Sequence, residues 1–455
     1  MASNSTEYQE NGGSSSPFGK LRVLFLASEW GSSKGGLSTM NRELAINIAQ
    51  HSSVDVTIFV PQCNDEDKKA ALGHKIKLVE PTSQLGEEKL QWLFFLPDDL
   101  HIDVVVGHGI KLGPQANAIR GSRKCKWVQV VHTVPEELGM HKTYDDPIAA
   151  AEMKHETEVE LCKLADFVVS IGPKLNKAVG RYLSSCKKDK MVFTPGIFRE
   201  FLGVEQVPEI EGKFRVLLFG RGDEEDFRVK GFDIAAKAVA SLDNIELVFV
   251  GAPEGELEEV KNRFLQCGIH VNKLTVRRFV KDRESLKHLF CEVDLAIMPS
   301  RTEGFGLTGL EALSAGLPIL VSGNSGFGQA LREALFGPFY VVDSDDVQAW
   351  ANAIKGLQNR DRNKRLKESQ ALRSSYSETY CWEEQCKILV RKMVSLVQGK
   401  NLQPHERSNL GSFDVYFSGL LFSISDPSDI TKKPAMSMSN LLDVLIRAVH
   451  SYNQL

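Results

Sequence analysis

Two kinds of segment alternate along this chain. Short apolar runs recur at LRVLFLAS (21–28), VDVTIFV (54–60), DVVVGHG (103–109), KWVQVVH (126–132), DFVVSIG (166–172) and KMVFTPG (190–196). Between most of them the apolar positions take helical spacing, as in LSTMNRELAINIAQ (37–50). Strands without polar alternation, separated by helices, imply a parallel sheet covered on both faces. After VEQVPEIEGK (204–213), which reads as a linker, the pattern restarts. FRVLLFG (214–220), IELVFVG (245–251), KLTVRRF (273–279), VDLAIMP (293–299), LPILVS (317–322) and FYVVD (339–343) read as strands, with helices such as GFDIAAKAVASL (231–242) between them. The expectation is an α/β protein with two doubly wound Rossmann-like domains, 20–203 and 214–379, facing each other across a cleft that holds the site.

The ends differ from the middle. Residues 1–19 are polar and rich in Ser, Gly and Asn, and are expected to be a disordered tail. Residues 380–398 predict a further amphipathic helix. In the extension 399–455, NLLDVLIRAVHSY (440–452) predicts another, either packed on the domains or docking a protein partner.

Composition narrows the function by exclusion. Hydrophobic residues make up 42% and charged residues 25%, the balance of a soluble globular protein, and the net charge of −4 gives no global attraction to nucleic acid or anionic membrane. Any bound anion must therefore be held by a local site. The eight cysteines have no C-x-x-C pair and no histidine spacing suited to zinc, so they read as reduced thiols. The N-terminal stretch lacks the regions of a signal peptide, and no run approaches the ~18 apolar residues of a membrane span. The expected location is the cytosol.

Gly304, Gly306 and Gly309 spell G-x-G-x-x-G, but a dinucleotide fingerprint belongs at the first strand–helix turn of its domain, with an acid about twenty residues on. Here the glycines follow the late run VDLAIMP, and the next strand ends in Gly323 and Asn324. The dehydrogenase reading does not fit. GSSKGGLS (31–38) resembles a Walker A loop with Leu37 where the lysine belongs. Its Gly35 and Gly36 form either a plain tight turn or a cradle of backbone N–H groups at a helix N-terminus. Asp343-Ser344-Asp345 precedes the predicted helix 347–357 and reads as a cap made by Asp345 or Asp346 rather than as a metal site.

Four charged residues carry the chemistry. Arg221 stands just past the first strand of the second domain, and Lys230 at the mouth of the next helix. A planar guanidinium and a mobile ammonium suit a diphosphate, whose charge rises as its bond to a sugar breaks. Glu303 and Glu311, eight residues apart, can accept sugar hydroxyls, although Glu311 alone is also a carboxylate well placed for a helix dipole. Together these describe a nucleotide-sugar site. The acidic stretch GDEED (222–226) is a poor neighbour for a diphosphate unless that loop points outward.

The strand–GR–KG–helix arrangement followed by EGFGLTGLEALSAGLP resembles the retaining family 4 glycosyltransferases, a group of GT-B enzymes with glycogen-synthase-like and mannosyltransferase members, over roughly residues 20–398. The resemblance implies transfer of a hexose from a UDP-, GDP- or ADP-hexose to an unidentified acceptor, with retention and with neither cofactor nor metal. Carried over by position, it gives Glu311 the ribose hydroxyls, Glu303 the donor sugar, and Arg221 and Lys230 the diphosphate. Main-chain amides of Gly304, Phe305, Gly306 and Leu307, with Thr308 beside them, would hold sugar hydroxyls, and Gly35 and Gly36 would lie against the donor phosphates. His132 matches a histidine commonly found beside the sugar, or is a buried histidine satisfied by neighbours; His108 has no such match. The Trp-containing helix 380–398 resembles one that crosses back to the first domain. TPGIF (194–198) and SGNSGFGQALREAL (322–335) depart from the pattern, which leaves room for an alternative: a module that binds a nucleotide sugar and signals through its C-terminal extension.

Overall fold

The computed structural model describes residues 19–399, apart from 33, 83–87, 143–145 and 281. The extension with its 440–452 segment lies outside the described residues. Two all-parallel sheets form the frame. The first contains β1 (Leu21–Leu26), β2 (Val54–Phe59), β3 (Ile76–Val79), β4 (Val104–His108), β5 (Lys126–Val131), β6 (Phe167–Ile171) and β7 (Lys190–Phe193), in the spatial order β3-β2-β1-β4-β5-β6-β7. The second contains β8 (Phe214–Phe219), β9 (Ile245–Ala252), β10 (Leu274–Arg278), β11 (Leu295–Met298), β12 (Ile319–Ser322) and β13 (Val341–Val342), ordered β10-β9-β8-β11-β12-β13. β4, β6, β11 and β12 are buried along their whole length, as strands covered on both faces must be. β3 has no counterpart among the sequence-based strands; its four residues alternate buried Ile76 and Leu78 with Lys77 and Val79, too short a signal for an edge strand.

Both sheets wind outward in two directions from a central strand pair, β1/β4 in the first and β8/β11 in the second. At such a reversal the loops leaving neighbouring strands diverge and open a crevice at the carboxyl ends. The two crevices face each other, and several contacts hold the sheets in that relation. Lys174, buried in the first domain, donates from Nζ to Thr302 Oγ1 at 2.6 Å and to the Asn324 carbonyl at 2.7 Å in the second, and pairs with Glu137 at 2.6 Å. The helix Trp382–Gln398 lies against the helix Gly36–Ile48. Around TPGIF, Trp382 Nε1 donates to the Gly196 carbonyl at 2.9 Å, Tyr376 to the Pro195 carbonyl at 2.8 Å, and Gln385 bonds both backbone groups of Thr194. A Cβ on Gly196 would lie 2.4 Å from the Tyr380 carbonyl oxygen, so this seam tolerates only glycine there.

Candidate active site

Loops from both crevices line one cavity of about 410 Å³. Gly35, Gly36 and His132 enter from the first domain; Arg221, Lys230, Gly304, Phe305, Gly306, Leu307, Thr308, Glu303 and Glu311 enter from the second. Every residue that the sequence reading placed at the donor therefore reaches the same space.

Glycine geometry makes this convergence possible. Gly35 (φ 101°) and Gly306 (φ 103°) lie in the left-handed region and open the helices Gly36–Ile48 and Leu307–Ser314. Neither helix start has a side-chain cap, so unpaired N–H groups and the positive dipole ends lie at the cavity wall. A Cβ on Gly304 would sit 2.0 Å from the His132 carbonyl oxygen, so the bare Cα is what lets the Glu303 loop touch the first domain. The ring of Phe305 is buried between the domains, where a Cβ on Gly172 would come within 2.6 Å of it, and 5.9 Å from the Phe327 ring. What Phe305 offers a ligand is main chain. The departing segment 322–335 packs behind this loop: Glu303 bridges Ser325, and Ser325 Oγ caps the helix Gly326–Leu331 by accepting from the Gly328 N–H at 2.9 Å.

The charges come in opposed pairs. Lys230, just before the helix Phe232–Ala240, stands where the dipole disfavours a cation, and Glu303 compensates by accepting directly from its Nζ. Arg221 donates to Asp226 at 2.9 Å, and Lys142 of the first domain reaches the same carboxylate at 3.2 Å. The acidic stretch thus divides: Glu224 and Glu225 are exposed, while Asp226 turns into the cavity, held there by the short helix Glu224–Phe227, whose Phe227 ring packs 5.0 Å from Phe264 and 5.6 Å from Phe232. Burial would push the Asp226 carboxyl up, but Lys142, Lys230 and Arg221 outweigh it and hold it below the usual carboxylate range.

Glu311 is buried, and Arg283 donates to its Oε1 at 2.5 Å. Burial pushes the Glu311 carboxyl up; the guanidinium limits the rise. Arg283 also meets Glu200 of the first domain at 3.1 Å and lies 5.4 Å over the Phe201 ring. Arg42 continues the row, with Glu200 at 4.0 Å and Glu43 at 2.9 Å, and burial pushes Glu43 up to about 7. Sequence reasoning missed Arg283, because an arginine in KDRESL carries no motif; only the fold brings it to Glu311. His132 lines the cavity with its Nε2 2.8 Å from Nδ1 of the fully buried His108, the rings stacked at 5.1 Å. Away from the cavity, Asp346 caps the helix Val347–Gln358 by accepting from the Ala349 N–H at 3.0 Å, and Asp343 pairs with Arg332. Of the D-x-D, Asp343 is thus engaged in an ion pair, and the cap is made by Asp346, not Asp345. No group of His, Cys, Asp and Glu suited to a metal ion occurs among the described residues.

A family model described as "Family 4 Glycosyltransferase in conflict systems" matches residues 24–389. The chain belongs to this family. Among curated relatives of this glycosyltransferase is the D-inositol 3-phosphate glycosyltransferase of Corynebacterium urealyticum, 26% identical over 331 residues, 69% of this chain and 76% of that protein. The corresponding enzyme of Mycobacterium marinum is 28% identical over 157 residues, 34% and 33% of the two chains. Sucrose-phosphate synthase from Thermosynechococcus elongatus shares the fold with a TM-score of 0.68 at 16% identity, covering 84% of this chain and all of that one. HepE of Anabaena, solved with UDP and glucose, aligns at 0.62 and 16% identity, covering 82% and 100%. These likenesses establish the GT-B fold: two Rossmann-like domains across a cleft. Among the described residues no helix is long and apolar enough to cross a membrane.

Proposed function

We propose that this glycosyltransferase moves a hexose from a nucleoside diphosphate to an acceptor hydroxyl with retention of configuration. The observation that carries the reading is the convergence, in one inter-domain cavity, of two uncapped helix starts with Arg221, Lys230, Glu303 and Glu311. In this reading Glu311 accepts the ribose hydroxyls. Arg221 and Lys230 take the diphosphate, whose charge grows as the bond from C1 of the sugar to the β-phosphate oxygen breaks. The acceptor oxygen bonds to C1 on the same face, and its proton passes to the departing phosphate. That route suits a cavity in which the carboxylate nearest the sugar, Glu303, is tied to Lys230. Two cations meet the leaving group, so the reading assigns no metal, and chelator should leave turnover unchanged. HepE, which shares this fold, was solved in complex with UDP-glucose, and the reading takes a donor of that class.

One observation favours a second reading, a module that binds the donor without turning it over. Asp226 already occupies Arg221, the cation meant for the diphosphate. A thermal-shift screen of nucleotide sugars, followed by donor hydrolysis without acceptor, separates the two. A ligand at about 100 times its Kd raises stability by about 2.7 kcal/mol in either case. Slow release of free sugar, abolished in Glu303→Gln, supports the transferase; stabilisation with no hydrolysis and no transfer supports the module. No stabilisation by any nucleotide sugar refutes both.

A further inference from the structure

The histidine pair at the first domain's wall of the cavity has a feature that the transfer reading does not use. His108 closes β4 and is fully buried, and His132 follows β5, the strand paired with β4. Burial drives the pKa of His132 down to about 4 and that of His108 well below the usual histidine range, so both rings are neutral near pH 7. Between two neutral rings the 2.8 Å contact holds one proton, and it has two possible owners.

If His132 Nε2 owned it, His108 Nδ1 would accept and His108 would carry its own proton on Nε2. That Nε2 is buried with no hydrogen-bond partner, and the neighbouring Phe25 ring, its centroid 6.4 Å from that of His108 and tilted by 34°, does not stack on it. A buried donor with nothing to bond would result, the rarer of the two kinds of unsatisfied group. If His108 Nδ1 owns the proton, Nε2 of His108 is only a bare lone pair. His132 then accepts at Nε2 and must carry its hydrogen on Nδ1, the nitrogen not engaged by His108.

We propose that His108 is a positioning residue that locks His132 in the Nδ1–H tautomer, so that His132 serves the cavity as a hydrogen-bond donor and not as a base. A neutral imidazole in water prefers its proton on Nε2, so this is a state that the pair imposes. Its chemical consequence, which rests on the transfer reading, is that His132 donates to an oxygen of the donor sugar and takes no proton from the acceptor. The first part is independent of any activity.

The test is nitrogen NMR on the full chain labelled with ¹⁵N-histidine at pH 7, with the His132 signals assigned by their loss in His132→Gln. A pyrrole-type Nδ1 and a pyridine-type Nε2 are expected for His132; the reverse pattern overturns the proposal whatever the enzyme does. In activity, His108→Asn keeps an amide N–H close to the place of the ring Nδ1–H and should hold kcat within about threefold of wild type. His108→Leu should lower kcat about tenfold with little change in donor KM, as expected for one lost neutral hydrogen-bond donor. Equal losses in both variants at unchanged Tm would overturn the positioning role. If wild type neither hydrolyses nor transfers any donor, the transfer reading fails while the tautomer result still decides the pair.

Discussion

Asp226 offers the most informative perturbation, because it places a negative charge where a diphosphate should bind. Its carboxylate takes the Arg221 guanidinium at 2.9 Å and the Lys142 ammonium at 3.2 Å, so an arriving donor must compete for cations already engaged. Asp226→Asn keeps the shape and removes the competitor. Two unit charges about 6 Å apart at an effective dielectric of about 20 interact by roughly 3 kcal/mol. The exposure of Arg221, whose side chain is 62% accessible, and ordinary salt reduce that to about 1–1.5 kcal/mol, or near tenfold in affinity. Titration calorimetry with the nucleoside diphosphate that gives the largest thermal shift should therefore show binding about tenfold tighter in Asp226→Asn. The ligand-free variant should melt slightly lower, since Arg221 and Lys142 lose a partner across the domain boundary. The gain should shrink toward twofold in 0.5 M salt. Unchanged or weaker binding at low salt would refute the reasoning: Asp226 would then be arranging its cations for the ligand and not competing with it.

Lys230→Ala should lower turnover about 10²–10³-fold with a smaller loss of donor affinity, the pattern for a group that acts mainly on charge formed in the transition state; steady-state hydrolysis and transfer rates check it. Glu311→Ala should weaken nucleotide binding by roughly 1–3 kcal/mol, whereas Arg283→Gln, which removes the guanidinium that competes with a ribose for the same carboxylate, should not weaken it; calorimetry of both decides, and a loss in Arg283→Gln would show that Arg283 orients Glu311 and does not compete for it. Gly304→Val forces a Cβ to within 2.0 Å of the His132 carbonyl unless the domains part, so small-angle scattering should report a larger radius of gyration and transfer should fall more than nucleotide binding. Burial pushes Glu158 up to about 7 beside Gln129 in the first domain. A carboxyl raised in the folded state binds more protons folded than unfolded, so its contribution is fully present below the unfolded value near 4.5 and is lost as pH rises through about 7. Urea titrations should find that Glu158→Gln flattens the decline of stability between pH 5 and 8, by up to about 3 kcal/mol; an unaltered slope would show that Glu158 is charged throughout.

How much of this was legible in the sequence depended on the range of the forces involved. The sheets were, because a two-faced strand must be apolar along its length, and that constraint is local. β3 escaped because an edge strand of four residues carries only two buried positions, Ile76 and Leu78. Glu303, Lys230 and Arg221 stood out in the sequence as charged candidates, but how they pair did not. Sequence shows that Asp226 is near Arg221; it does not show whether the carboxylate turns inward, which is decided by Phe227 finding Phe264 and Phe232. It shows still less that Arg283 reaches Glu311, twenty-eight positions away, or that Lys142 reaches Asp226 from the other domain.

These partners share a physical origin. A cleft that gathers cations, carboxylates and open helix ends holds each charge partly desolvated, where standing unpaired would be costly. The chain resolves this by pairing them with one another: Lys230 with Glu303, Arg221 with Asp226, and Arg283 with Glu311. Lys142 and Glu200 extend two of these pairs across the domain boundary, so the same contacts that neutralise the cleft's charges also hold the domains together. A ligand then enters by exchange and not by addition. In the proposed reading, affinity is then set by the difference between phosphate and carboxylate at Arg221, and between ribose hydroxyl and guanidinium at Glu311. It follows that the two inter-domain bridges should respond oppositely: Lys142–Asp226 should loosen when a diphosphate takes the cations, whereas Arg283–Glu200 should tighten when a ribose takes Glu311. Nucleoside alone should release Arg283 toward Glu200 and leave the Lys142–Asp226 bridge intact, whereas diphosphate should break the latter. Amide hydrogen exchange in residues 222–230, faster with nucleoside diphosphate but unchanged with nucleoside, is the expected signature; equal responses to both would show that the two halves of the cleft act as one.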